Sequence, residues 1–212
     1  MLKLFYTPGA CSMVPHIALE ESGATYARHP IDFATSEQLT PEYRAINPKG
    51  QVPALVTDRG VITEIPAMLG YIARSFPEAQ LLPWEDPFAF AQAQAFHMHI
   101  ATTIHVLFRQ ISRPEYFADG EAAKAALKAK VPEMSDRYFG IIEDRLRDGR
   151  LYVHGDGFTL SDTYLFVFAS YLRMGDRGDV AKLPFVVAHR DRIRQRPAVE
   201  RILAVEGLAE AW

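Results

Sequence analysis

A chain of 212 residues and 23.8 kDa has room for one large domain or two small ones, and 23 basic against 26 acidic residues give no general attraction to nucleic acid or to an anionic membrane surface. No apolar run approaches the ~18 residues a membrane helix needs, and the N-terminus lacks the regions of a signal peptide, so a soluble, cytoplasmic protein is expected. The single cysteine excludes an internal disulfide and leaves one thiol for chemistry.

In chain order, Lys3 to Tyr6 alternates as a strand does, and Pro8-Gly9 is turn chemistry. The spacing of Val14, Ile17, Ala18 and Glu21 then predicts an amphipathic helix over 12–22. Cys11 falls near the N-terminal end of that helix, where backbone N–H groups and the helix dipole favour a thiolate. A small buried hydrophobe is the other reading of a lone cysteine. Further strands are expected over 26–31, 54–57 and 61–63, with Asp58-Arg59-Gly60 as a hairpin turn and helices over 41–45 and 66–75. This order predicts a small α/β unit, a mixed sheet with helices on both faces.

Pro77 to Pro87 holds three prolines and acidic residues and reads as an extended linker. Beyond it the strand signals stop. Periodic stretches over 88–111, 122–147, 161–174 and 186–196 predict an all-helical remainder, so the expected division is 1–77, a linker over 78–87, and 88–212. Thr159-Leu160-Ser161-Asp162 has the form of a capping box. The basic run Arg190 to Arg201 is interleaved with Asp191 and Glu200 and carries no aromatic residue, so it reads as a solvated helix face and not as a nucleic-acid groove.

Three constellations could carry chemistry. In Asn47-Pro48-Lys49-Gly50-Gln51-Val52-Pro53-Ala54-Leu55, a cis Val52–Pro53 bond would leave the Val52 backbone open to an extended, peptide-like ligand. In Thr63-Glu64-Ile65-Pro66, a strand gives way to a helix start able to take an anion. Glu64 there either favours the helix dipole or meets a ligand ammonium. Of the histidines, His97 and His99 lie about 200° apart on one helix and cannot converge on a metal, so no metal site is expected. His105 shares a stripe with Met98, Ala101 and Thr102 and is open to an interior role or a functional one. No Ser-His-Asp order, phosphate loop or dinucleotide fingerprint is present.

Taken in order, Tyr6-Thr7-Pro8-Gly9-Ala10-Cys11-Ser12, the segment 47–55, Thr63-Glu64 and Phe158-Thr159-Leu160-Ser161-Asp162 resemble the cytosolic glutathione transferases, and within them the bacterial beta class. The resemblance spans nearly the whole chain. It implies a thioredoxin-like N-terminal domain, an all-α helical-bundle C-terminal domain and a homodimer. It also implies glutathione as co-substrate and a small hydrophobic electrophile as second substrate, with detoxification as the setting. Cys11 matches the beta-class cysteine that approaches the glutathione sulfur and can form a mixed disulfide with it. His105 matches a histidine reaching toward the thiol, while Ser12 and Tyr6 are further candidate donors.

Ala10, Cys11, Gln51, Val52, Pro53, Glu64 and Ile65 make up the implied glutathione site. Val52 would pair its backbone with the cysteinyl part, Glu64 would hold the γ-glutamyl ammonium, and amides from Ile65 onward would take the carboxylate. Three positions depart from the family pattern. Ile65 stands where serine is usual, which removes a hydrogen bond to a charged group worth about 1.5–3 kcal/mol. Val106 replaces a common lysine, and Met98 a common asparagine. These departures motivate the alternative of a catalytically idle relative that binds hydrophobic ligands or a protein partner.

Overall fold

The computed structural model describes every residue, Met1–Trp212, and the chain divides into two compact units. One unit comprises Met1–Phe90 with Arg194–Trp212, the other Ala91–Ile193. The segment after 194, expected among the helices that follow residue 88, thus packs with the N-terminal unit.

The first unit is built on β1 (Leu2–Tyr6), α1 (Met13–Glu21), β2 (Tyr26–Pro30), α2 (Pro41–Ile46), β3 (Ala54–Thr57), β4 (Gly60–Ile62) and α3 (Ile65–Ser75). The sheet order is β2-β1-β3-β4. β1 runs parallel to β2, with Leu2 opposite Tyr26, and antiparallel to β3, with Phe5 opposite Ala54; β3 and β4 form the expected hairpin. Alternation along β1 sorts its side chains to two faces. Phe5 joins Ile31, Tyr43, Val52 and Ala54 in a core beneath α2, whereas Tyr6 turns toward α1 and packs on His16 at 4.7 Å between ring centres. The expected α/β unit with helices on both faces is therefore formed.

The C-terminal α9 (Pro197–Val205) is bound to α1 by charge. Arg196 makes a two-pronged pair with Glu21 at 2.6 and 2.8 Å, Arg201 reaches Glu20 at 2.5 Å, and His16 Nδ1 meets Glu206 Oε1 at 2.6 Å with both side chains wholly buried. These contacts correct the reading of Arg190 to Arg201 as a solvated face. Within that run Arg190 is 3% exposed and donates to Ser170, and Arg194 donates to the carbonyls of Ala209 and Trp212. The guanidinium fork bonds several acceptors at once, so Arg190, Arg194 and Arg196 are met by partners within the fold, while Arg201 pairs with Glu20 at the surface.

The second unit contains most of α4 (Pro87–His99), a π-helical turn at Ile100–Ile104, α5 (His105–Ser112), α6 (Glu121–Leu146), α7 (Leu160–Tyr171) and nearly all of α8 (Pro184–Arg194). The helix expected over 88–111 is thus interrupted, and Thr102 Oγ1 donates back to Met98 O at 2.8 Å beside the wider turn. The wider turn shifts the facing of residues beyond it. Met98 and Thr102 are exposed, and the buried side of this stretch is Phe96, His97, Ile100, Ile104 and Leu107. All of α7 is buried, with the unbroken apolar run over 164–169 at its middle. Its capping box forms as expected: Thr159 Oγ1 accepts from Ser161 N, and Asp162 Oδ2 accepts from Thr159 N at 2.8 Å. No helix is long and apolar enough to cross a membrane.

Asp162 does more than cap. Its Oδ1 also accepts from Val153 N at 2.7 Å and pairs with buried His189 Nε2 at 2.8 Å. Asp162→Ala leaves these donors buried and unmet, so a loss of about 3–5 kcal/mol is expected in urea unfolding.

Beside it, Ser161 Oγ sits 2.9 Å from both His97 Nε2 and His154 Nε2. One hydroxyl can donate to one neutral imidazole and accept from the other, but two imidazoliums would leave its proton without an acceptor. Burial pushes His97 down to about 3 and, with the Arg145 charge next, His154 down to about 4. Both folded values lie below the ordinary histidine value near 6.5, so the unfolded chain binds more protons as pH falls below 6.5. Stability should therefore be full above pH 6.5 and decline toward pH 4, with His97 alone contributing a slope of about 1.4 kcal/mol per pH unit. Urea midpoints between pH 7 and 4.5 measure this, and His97→Gln is expected to flatten the dependence.

Candidate active site

The turn after β1 is closed from within by one residue. Ser12 Oγ accepts from Thr7 N at 3.0 Å and donates to Thr7 O at 3.1 Å, and the residue is fully buried. The serine at the start of α1 thus braces the turn instead of capping the helix, and its proton is committed to Thr7. Gly9 takes φ +70°, the region other residues avoid. The first amides of α1 also serve the turn: Met13 N donates to Ala10 O and Val14 N to Cys11 O. Cys11 precedes the helix and is half-buried outside any disulfide, with Sγ 3.7 Å from the Val52 carbonyl.

The opposing segment is held with equal care. Tyr43 Oη and Asn47 Nδ2 both donate to Gln51 O, at 2.7 and 2.6 Å, and Asn47 Oδ1 accepts from Lys49 N at 3.2 Å. Burial pushes the Tyr43 phenol up to about 12, so it remains a donor at any ordinary pH. Gly50 at φ +61° lies under the chain, where an added Cβ would stand 3.0 Å from Gln38 O. The Val52–Pro53 peptide bond is cis.

Glu64 closes the group at the start of α3. Its backbone sits at φ 69°, ψ 121°, a conformation rare for a residue with a side chain and costing about 1–3 kcal/mol. The Glu64 side chain is exposed and paired with Lys49 Nζ, which also donates to Thr63 Oγ1 at 2.7 Å. Ile65 and Ala67 carry first-turn amides with no carbonyl inside the helix to meet, since Pro66 lies between them and Met68 N takes Glu64 O. The Ile65 side chain is 4% exposed, its aliphatic bulk buried at the start of α3.

One unit therefore carries Tyr6, Ala10, Cys11, Ser12, Gln51, Val52, Pro53, Glu64 and Ile65, and it brings Cys11 against Val52. Tyr6 is 7% exposed, and burial, then the Glu206 charge, raises its phenol above the ordinary value. His105 belongs to the helical unit, half-buried at the first residue of α5, with its ring 4.9 Å from that of Phe168. Among the exposed apolar side chains are Val106 and Met98.

The supporting residues Tyr43, Asn47 and Lys49 escaped the sequence reading. An Asx turn at Asn47-Pro48-Lys49 was the local signal for one of them; the other two act through contacts that sequence spacing does not reveal. A donor set for a metal is not assembled by any three His, Cys, Asp or Glu residues.

Comparisons with known proteins identify the family. The sequence pattern of the glutathione S-transferase N-terminal domain matches residues 1–74, and that of the C-terminal domain matches residues 105–205. The chain is 33% identical to glutathione S-transferase GstA of Escherichia coli O157:H7, over 98% of this chain and 100% of that one. Among solved structures, a glutathione transferase homolog from Sulfitobacter with bound glutathione superposes with TM-score 0.90 at 37% identity, covering 98% of this chain and 99% of that one. A bacterial beta class glutathione S-transferase from Sphingomonas chungbukensis gives TM-score 0.83 at 33% identity, over 97% and 99% of the two chains. With both domain patterns in place, relatives aligned end to end and the Cys11, Val52 and Glu64 segments formed on the expected scaffold, the chain belongs to the glutathione S-transferase family.

Proposed function

We infer that this enzyme transfers the thiolate of glutathione to a small hydrophobic electrophile. The family gives the transferase activity and glutathione as co-substrate. The observation that carries the assignment to particular residues is the cluster on the first unit: a thiol against the Val52 carbonyl, with an acidic side chain and open helix-start amides at the next chain entry. An extended γ-glutamyl-cysteinyl-glycine has complementary groups. Its ammonium suits the Glu64 carboxylate, its γ-glutamyl carboxylate suits the Ile65 and Ala67 amides, and its cysteinyl backbone suits Val52. Lys49, now paired with Glu64, would have to share that carboxylate with the incoming ammonium.

Chemistry requires the glutathione sulfur to lose its proton and attack the electrophilic carbon while the leaving group departs with its electron pair. His105 is the proposed catalytic residue for conjugation and Cys11 for exchange with disulfides, with Ser12 and Tyr6 as further candidate donors near the thiol. If Cys11 itself attacks the sulfur of a glutathione mixed disulfide, a Cys11–glutathione disulfide forms and the former partner leaves as thiolate. A cytoplasmic homodimer engaged in detoxification is the setting proposed for this activity. The idle-relative alternative is not favoured, because the glutathione motifs persist across the chain.

Calorimetric titration of reduced glutathione into the reduced protein should show saturable binding at one site per chain, and 1-chloro-2,4-dinitrobenzene should be conjugated. Absence of both would sink the reading. Glu64→Gly is expected to relieve the φ strain, holding or raising the melting temperature, while weakening glutathione about tenfold or more through loss of a charge-assisted bond. Ile65→Ser should tighten glutathione about tenfold and lower stability by about 2 kcal/mol, measured by calorimetry and urea unfolding. Cys11→Ala should abolish exchange with glutathione mixed disulfides and leave conjugation within about threefold, since only the exchange needs a protein thiolate.

A further inference from the structure

Within the helical unit, Arg177 is placed unlike Arg145, Arg150 and Arg190. Arg145 donates to Val153 O, Arg150 forks onto Asp148, and Arg190 reaches Ser170 and Asp191. The half-buried Arg177 meets no such acceptor: its Nε is sealed from solvent without a partner, and no carboxylate bears on its charge. Its Cζ lies 5.7 Å from the centre of the Phe108 ring and 5.8 Å from that of Tyr171. Contact with two π faces offsets part of the cost of burying a cation. A methionine would cover the same two rings with no charge to desolvate, so packing alone does not account for the guanidinium.

The segment that carries Arg177, between α7 and α8, is held from behind. Gly178 takes φ +141° and lies so close to α6 that an added Cβ would stand 3.1 Å from Ser135 Oγ and 3.2 Å from Asp136 Oδ1. Asp136 accepts from Asp179 N at 2.8 Å and pairs with Lys182 Nζ at 2.6 Å. With the backbone fixed on one side and the rings on the other, the guanidinium is oriented before any ligand arrives, and its outer Nη groups are left for an acceptor from solution.

The rings beneath Arg177 lead back to His105. The His105 ring lies 4.9 Å from that of Phe168, which lies 5.3 Å from Tyr171, and Phe108 follows His105 by one turn of α5 with its ring parallel to Phe168. The separation of Arg177 from His105 is therefore set by packed aromatic rings and not by a loop. We propose that Arg177 determines specificity for the second substrate by receiving a carboxylate on the electrophile, so that the enzyme prefers apolar electrophiles bearing one negative charge. A carboxylate suits the planar guanidinium because it can take two parallel N–H bonds. The proposal deepens the transferase reading and rests on it, through His105 as the residue that faces the thiol.

The test uses 4-chloro-3,5-dinitrobenzoate and its methyl ester, from both of which glutathione thiolate displaces chloride at the same ring carbon. Each kcat/KM is divided by the uncatalysed rate constant with glutathione. On that scale the wild type should favour the acid about tenfold or more. Arg177→Met, checked for folding by circular dichroism, should cut the acid-to-ester preference about tenfold or more, mainly through KM for the acid. Arg177→Lys keeps the charge and should hold the preference within about threefold of wild type. Arg173→Met removes a neighbouring charge that is already paired with Asp191, and should leave the preference within about twofold. No preference for the acid in the wild type, an unchanged preference in Arg177→Met, or an equal fall in Arg173→Met would overturn the proposal.

A second arm measures binding alone. Calorimetric titration of 3,5-dinitrobenzoate, which has no leaving group, into glutathione-free protein should show binding to the wild type and about tenfold weaker binding to Arg177→Met. Equal affinity, or no binding to the wild type, overturns the assignment. Should Arg177→Met fail to fold, Arg177→Lys and the wild-type preference between acid and ester decide. A wild type that neither binds nor turns over glutathione would defeat the transferase reading, while the benzoate titration still decides the role of Arg177.

Discussion

Buried carboxylates organise this chain, because a carboxylate removed from water must gather donors and so fixes whatever bears them. Asp162 gathers Val153 N, Thr159 N, the Thr159 hydroxyl and His189 at the start of α7. Glu143, on α6 and 4% exposed, accepts from Phe185 N and Val186 N and so satisfies the first turn of α8 from a distance. Glu206 does the same for the turn that carries the thiol, its Oε2 accepting from Gly9 N at 2.9 Å. In each case a backbone end that could not be paired locally is met by an acid from elsewhere, and the apolar packing around α7 and behind β1 is arranged about that constraint.

The active-site scaffold shows the same economy on a smaller scale. Ser12 uses one hydroxyl as donor and acceptor to close six residues, and the Gln51 carbonyl takes two donors so that Val52 is presented by a fixed chain. Glu64 shows the opposite balance, a residue held in a costly backbone state at the junction of β4 and α3. Rigidity is thus concentrated around Gln51 and Val52, and strain at Glu64, the two segments proposed to meet the tripeptide.

What could be read from the sequence follows from the range of the interactions. The alternation of β1, the Pro8-Gly9 turn, the β3–β4 hairpin and the Thr159–Asp162 box are local, and each formed as its residues imply. The segments that carry the family resemblance are also contiguous, so the family was legible. The π-helical turn at Ile100–Ile104 was not, because its apolar residues suit an α-helix equally well and only the packed neighbours select the wider turn. Nor were the pairs of Arg196 with Glu21 and of Glu206 with Gly9 and His16. Charges 175 to 197 residues apart leave no periodic trace, and a run of arginines looks the same whether it faces water or a buried acid. His97 illustrates the last kind of miss: its spacing gave no hint of a neutral imidazole sealed beside Ser161.

The dependence of the N-terminal unit on α9 has a consequence for how the chain is made. The anchor for Gly9 and the partners of Glu20 and Glu21 are encoded 175 to 197 residues downstream, so they leave the ribosome well after the segments they bind. At ordinary rates of synthesis the thiol-bearing turn waits roughly 10–40 s for its acid. During that interval the sheet can assemble while the turn and the exposed face of α1 remain incomplete. The turn before α1 is thus made early and completed late, since its outer hydrogen bond from Gly9 N forms only once Glu206 has been synthesised.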